Sequence, residues 1–389
     1  MLKRRKNNKK GVNYMFEKLN AKIEKFENYI NRINKEKKMV GVSVAFSYDN
    51  EIIYAKGFGK ARLNSKQNIT PNTIMSIQSI TKSFASTSIM HLVEKGLIDL
   101  DKPLVHYLPY FRTSKKEESD KITVRELLSH TAGFPSDILI ANIICPNIEE
   151  LKDLREMQKT KGISDDVRKD IKSFEDITRY FKNVDLDYKP GEGFKYCTDA
   201  YVIVGDLFEK VSGISWYDFL QKNIFDKLNM TRTTLEPLKA INDKDSARYY
   251  TYDDSSFKEV SFPTNKIAAP IGFIYSTALD MSKYLVAHMD YKNATLLKSI
   301  SLREMQNSYT RVNDVSSRFD VKNPGYGLGW CTGMYKGLNL VEHSGGYPGV
   351  KSFVRMITNK KVGIVCLTNF QETNVIEICN KATDILLDV

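Results

Sequence analysis

Residues 15–36 set Phe16, Leu19, Ile23, Phe26, Ile30 and Ile33 three and four positions apart, with charged residues between them. That spacing predicts an amphipathic helix with one apolar stripe. The period then falls to two. Val40, Val42, Val44 and Phe46 alternate with Gly41, Ser43, Ala45 and Ser47, bulky on one face and small on the other. A strand covered on both sides has this character. Asp49-Asn50 predicts a turn and Glu51–Lys56 a returning strand. The far end of the chain mirrors the pattern. Leu338–Glu342, Val350–Ile357 and Val362–Thr368 read as strands, with turns at Tyr347-Pro348-Gly349 and Asn359-Lys360. Val375, Ile378, Cys379, Ala382, Ile385 and Leu386 outline a closing amphipathic helix.

The middle, from about Thr70 to Lys266, is mostly helical in pattern. Helices are expected at Ile80–Lys95, Thr123–Leu128, Phe174–Phe181, Ala200–Val211 and Trp216–Gln221, with a Pro/Gly connection at Asp187–Gly193 and no internal repeat. The fold class that follows is α/β (α+β type): an antiparallel sheet built from both chain ends with flanking helices, plus an inserted, mostly helical domain. The boundaries expected are a basic, disordered tail at 1–14, a mixed α/β domain from 15–66 and 267–389, and a helical domain at 67–266.

Composition narrows the class. With 389 residues, 42% hydrophobic, 21 Tyr and 19 Phe, the chain has material for a large core, which excludes a disordered protein. Of its +11 formal charge, Lys3, Arg4, Arg5, Lys6, Lys9 and Lys10 supply six, leaving +5 for the rest. A mildly basic body with a short basic tail argues against nucleic-acid binding, although a polyanion-binding arm and an upstream start with Met15 as the true one both stay open. Five scattered cysteines without C-x-x-C argue against a disulfide framework or a zinc site. No apolar run is long enough for a membrane span, and no apolar leader follows the basic residues, so a cytoplasmic protein is expected.

The candidate chemistry starts at Ser79-Ile80-Thr81-Lys82, where positions i and i+3 share one helix face. A serine hydroxyl needs a neighbour to take its proton, and a lysine does that only when neutral. Its site must therefore be dry or hold other positive charge. Dryness is legible: from Ser83 to Val93 there is no acid, Lys or Arg, and Ser83, Ala85, Ser86, Thr87 and Ser88 are small. A second copy, Ser255-Ser256-Phe257-Lys258, lies in a polar stretch and reads as a solvated turn. Tyr196-Cys197-Thr198 offers a phenol whose pKa a nearby ammonium could lower, making it a base and then an acid. His343-Ser344-Gly345-Gly346 ends an apolar strand, where glycines admit a substrate carbonyl to the backbone. Alone, each also fits a bland reading: a helix-start serine, a packing tyrosine, a structural histidine.

Together, Ser79-x-x-Lys82, Tyr196-x-Thr198 and His343-x-Gly345 resemble the ordered motifs of the serine β-lactamase and penicillin-binding-protein superfamily, nearest its class C-like branch of D-Ala-D-Ala carboxypeptidases and esterases. Ile122–Pro135, Gly272–Met281 and Tyr326-Gly327-Leu328-Gly329-Trp330 are similar to family blocks as well. The resemblance implies a β-lactamase/transpeptidase-like fold and a metal- and cofactor-independent serine hydrolase. In it Ser79 is acylated, Lys82 and Tyr196 share proton transfer, the Ser79 and Gly346 N–H groups form the oxyanion hole, and Thr198, His343, Ser344 and Gly345 line the substrate. His130 is expected to be structural, and the absence of G-x-S-x-G argues against an α/β-hydrolase elbow. Two departures matter. Thr198 stands where β-lactamases carry Asn, and His343 where they usually carry Lys, so efficient β-lactam hydrolysis is not expected. The substrate expected is a small ester, amide or D-amino-acid peptide. The alternative is a catalytically idle, ligand-binding or penicillin-sensing member. The oligomeric state is left open.

Overall fold

Asp49 and Asn50 both take positive φ, 46° and 70°, and fold the chain back as a two-residue hairpin turn. They join β1 (Gly41–Tyr48) to β2 (Glu51–Gly59) in the computed structural model, which describes residues 9–136, 138–253, 255–312 and 321–389, with side chains from Lys18 onward. Further along come β3 (Met75–Ser76), β4 (Tyr249–Asp253), β5 (Ser256–Val260), β6 (Tyr275–Ser276), β7 (Thr310–Arg311) and β8 (Val321–Tyr326). They are followed by β9 (Cys331–Tyr335), β10 (Leu338–Tyr347), β11 (Val350–Ile357) and β12 (Val362–Thr368).

Eight strands form one sheet in the order β2-β1-β12-β11-β10-β9-β8-β7. The two chain ends meet within it, where β1 runs antiparallel to β12 from Val42↔Thr368 to Tyr48↔Val362. The alternation in β1 sorts its side chains to two layers. Val42, Val44 and Phe46 pack with Phe26 and Ile30 of α1 (Lys9–Lys37) and with Ile378 and Ala382 of the closing helix Val375–Leu387. The small face accepts the helix Ala278–Met289 and, with Val354, Val365 and Leu367, borders the larger core that holds α2 (Thr81–Glu94). No helix among the described residues is long and apolar enough to cross a membrane.

Three expectations change. The helix of the amino-terminal region extends back to Lys9, so part of the stretch read as a disordered tail is helical; residues 1–8 lie outside the described residues. The hairpin β4–β5 interrupts the segment read as mostly helical. It carries the second S-x-x-K copy, with Ser255 and Lys258 exposed and Lys258 paired to Asp253. Finally, β7 to β9 extend the sheet beyond the strands that periodicity revealed.

The carboxyl half of the sheet is pinned by a buried ion pair. Glu342 on β10 and Arg355 on β11 sit opposite each other, 2.8 Å apart and almost wholly covered. Arg355 also donates to Thr383 of the closing helix at 3.1 Å and lies over the Tyr335 ring. Removing one member of such a pair strands the other charge in low dielectric. Arg355→Leu is expected to cost about 3–5 kcal/mol, with the Glu342→Leu/Arg355→Leu double variant recovering most of the loss. Urea unfolding of the three proteins checks this.

Candidate active site

Ser79 reaches the cleft because the chain is bent sharply just before it. β3 pairs with β6, and Ile77 N–H donates to Ile274 O at 3.1 Å. Gln78 then takes φ 48°, the left-handed region that a non-glycine residue enters at a cost of about 1–3 kcal/mol. Its buried amide donates to Ser76 Oγ at 2.7 Å, which helps hold the bend. A single 3-10 turn, Gln78–Ile80, feeds into α2. Within Thr73–Thr87 only Ser79 keeps partial exposure.

One turn on, Lys82 is fully buried, with Nζ 3.0 Å from Ser79 Oγ and 2.7 Å from Ile271 O. Burial pushes its pKa down to about 7, against the opposing pull of Cys197 and Asp199. The Tyr196 and Tyr201 rings flank the amine at 5.1 and 5.7 Å. Tyr196 as a whole is half-buried, but its hydroxyl is covered and completes no hydrogen bond among the described residues. Burial drives this phenol well above its usual 10, and the nearness of Ser79 only partly offsets that. The expectation of a tyrosine pKa lowered by the amine is thus corrected: burial raises it, with Cys331, Tyr201 and Cys197 adding to the rise, and the phenol holds its proton at neutrality.

β10 supplies the opposite wall. Its neighbour β9 pairs with it only as far as Glu342↔Cys331, so His343–Tyr347 runs on without that partner. His343 is buried rather than open to a ligand. Its Nδ1 lies 2.7 Å from the Ser344 carbonyl, which only accepts, and its Nε2 is 3.0 Å from the Tyr326 hydroxyl. Ser344 and Gly346 are exposed, and Thr198 is half-buried. A methyl group on Gly345 would fall 2.4 Å from Ile77 O and 2.8 Å from Gln78 Cβ, whereas one on Gly346 would meet nothing within 4 Å. Glycine at 345 therefore brings β10 against the bend that carries Ser79, and the space above Gly346 stays free.

The structure thus gathers Ser79, Lys82 and Tyr196 in one place, with Gly345 and Gly346 alongside. Sequence reasoning missed three neighbours. Asp199 is buried, accepts the Ala141 N–H at 2.6 Å, and has its pKa raised by burial to about 6. Tyr201 donates to Leu128 O at 2.6 Å and pairs with Ser86 at 3.2 Å. Tyr326 holds His343. The position of Asp199, directly after the Tyr196 motif, was the available signal. Among the described residues no group of three or more His, Cys, Asp or Glu is placed to hold a metal ion.

The Beta-lactamase family model matches residues 26–383. Protein flp of Staphylococcus aureus (strain N315) is 24% identical over 331 residues, covering 85% of this chain and 59% of its own length. The mouse serine beta-lactamase-like protein LACTB, mitochondrial, is 26% identical, covering 86% and 72%. Among solved structures, the octameric penicillin-binding protein homologue from Pyrococcus abyssi superposes with TM-score 0.79 at 28% identity, over 94% of this chain and 77% of that one. The D-stereospecific amidohydrolase from Streptomyces sp. gives 0.71 at 21%, over 90% and 95%.

The two glycines make opposite predictions. Gly345→Ala should lose about 1–3 kcal/mol by forcing β10 off the Ile77 carbonyl. Gly346→Ala should stay within about 0.5 kcal/mol of the parent. Urea denaturation checks both.

Proposed function

Because the chain belongs to the Beta-lactamase family, we propose that it is a serine hydrolase forming an acyl-enzyme on Ser79. The observation that carries this reading is the wholly buried Lys82 amine, 3.0 Å from Ser79 Oγ with its pKa near 7. At neutral pH about half of such amines are uncharged and able to accept the serine proton. Ser79 Oγ then attacks the substrate carbonyl, and the oxyanion is held by the N–H groups of Ser79 and Gly346. As the bond to the leaving group breaks, its oxygen or nitrogen takes the Tyr196 proton. The resulting phenolate is reprotonated by the Lys82 ammonium. Water enters and the same groups release the acid.

The substrate class proposed is a small ester, amide or D-amino-acid peptide. The Streptomyces relative, named a D-stereospecific amidohydrolase, supports the amide end of that range. His343, with both ring nitrogens engaged inside the protein, offers little to a substrate carboxylate. That supports neutral substrates over β-lactams.

A fluorescent fluorophosphonate is the direct test. Labelling should vanish in Ser79→Ala and slow by about 10²–10⁴-fold in Lys82→Ala, with thermal unfolding showing both variants folded. In the parent, the labelling rate should climb about tenfold per pH unit up to about 7 and level above it, as Lys82 loses its proton. A flat profile from pH 5 to 9 would remove Lys82 as the base. No labelling, with penicillin still bound, would instead make the chain an idle, ligand-sensing member of its family.

A further inference from the structure

His130 grips the chain on both sides of Tyr196. It caps the helix Val124–Ser129 in the left-handed conformation, φ 58°, which turns its carbonyl and its ring toward the same neighbour. The carbonyl accepts the N–H of Lys195 at 3.0 Å. The ring Nδ1 accepts the N–H of Cys197 at 3.3 Å. The imidazole lies 4.2 Å from the Tyr196 ring, and Tyr201 and Tyr326 enclose it at 5.0 and 4.9 Å. The residue is only 3% exposed, and its Nε2 is buried with no hydrogen-bond partner among the described residues.

An acceptor at Nδ1 fixes the tautomer, with the ring proton on Nε2. Burial next to Lys82 and His343 keeps that ring neutral, its pKa well below the ordinary 6.5. Leaving Nε2 unpaired is costly in a buried site. A histidine chosen only for packing would be better replaced by an apolar ring. What an apolar ring cannot do is take the Cys197 N–H.

We propose that His130 is a positioning residue for Tyr196: by binding the backbone on either side of that residue and packing on its ring, it fixes the phenol where a leaving group needs a proton. This rests on the reading of Tyr196 as proton donor. Lys195 and Cys197 N–H groups hold the backbone in place, so a shift of the phenol follows directly from loss of the clamp. Displacements near 1 Å cost about 10²-fold when proton transfer limits the rate.

The test compares His130→Ala with His130→Asn. Asparagine tolerates left-handed φ, and its amide oxygen stands close to where Nδ1 stands. Rates are normalised to fluorophosphonate-reactive sites, which corrects for misfolded protein. p-Nitrophenolate departs without a proton, whereas p-nitroaniline does not. Read as acylation, from the first release of p-nitroaniline or p-nitrophenolate before turnover, the reaction of His130→Ala should therefore slow about 10–100-fold on D-amino-acid p-nitroanilides and several-fold less on p-nitrophenyl esters, and Tyr196→Phe should show the same dependence on the leaving group. The two changes combined should cost no more than Tyr196→Phe alone. His130→Asn should recover most of the loss. Amide hydrogen exchange at Cys197 should be fast in His130→Ala and slow again in His130→Asn. Equal slowing of both substrates, full additivity with Tyr196→Phe, or a Cys197 amide unaffected by His130→Ala would each overturn the proposal. If the Cys197 exchange behaves as expected but Tyr196→Phe itself ignores the leaving group, the proton-donor reading of Tyr196 fails and takes the positioning role with it.

Discussion

Much of this molecule is organised by the need to keep one ammonium group out of water. Bringing a lysine from its ordinary pKa of 10.5 to about 7 corresponds to about 5 kcal/mol of disfavoured charge. That expense explains the uncharged stretch Ser83–Val93 better than helix propensity does, since serine and threonine are ordinary helix formers at best. Small side chains let neighbours close over the amine. Gly329, at φ 76°, leaves no room for a side chain, which would strike Ser86 Oγ at 2.4 Å and approach Lys82 O at 3.0 Å. Tyr201 seals the same region through its hydrogen bonds to Leu128 O and Ser86. Sheet and helices together thus form a dry compartment that opens at Ser79.

The opening lies between a strand end on one side and the loop that carries Tyr196 on the other. β10 outruns β9 at Glu342, and there the buried Arg355 ties β10 to β11 and to the closing helix. From that fixed point the strand carries Gly345 into contact with the Gln78 bend. A site assembled in this way depends on residues hundreds of positions apart, Ser79 and Gly345, held by a sheet in which both chain ends meet. Long-range pairing of this kind is slow to form but, once made, can hold the groups of a site within tight tolerances.

Different parts of this arrangement were legible to different degrees. Val42, Val44 and Phe46 announced β1 because a half-period of bulk against a half-period of small residues has few other meanings. The chain end gave the same signal. β8 did not, because Lys322-Asn323-Pro324-Gly325 contains no alternation and its register with β9 shifts there. Lys9 to Tyr14 looked like a solvated charge run, yet a helix once nucleated downstream adds residues cheaply where no proline stops it. Within the site, residue types pointed to Ser79, Lys82 and Tyr196. They could not reveal that the Tyr196 hydroxyl is covered, or that His343 turns inward to Tyr326, because burial is a property of the whole packing.

That last point bears on the chemistry. The same desolvation acts on Lys82 and on Tyr196 with opposite consequences. For an amine the charged form is the protonated one, so burial makes it a better proton acceptor. For a phenol the charged form is the deprotonated one, so burial makes it keep its proton. Burial therefore favours an uncharged amine and a protonated phenol side by side, the states that the roles proposed for Lys82 and Tyr196 require. Pairs of titratable groups driven apart in this way mark the division of acid and base labour in active sites. For the roles proposed for Lys82 and Tyr196 that division would come chiefly from burial, so a change that lets water reach both groups would weaken both roles together.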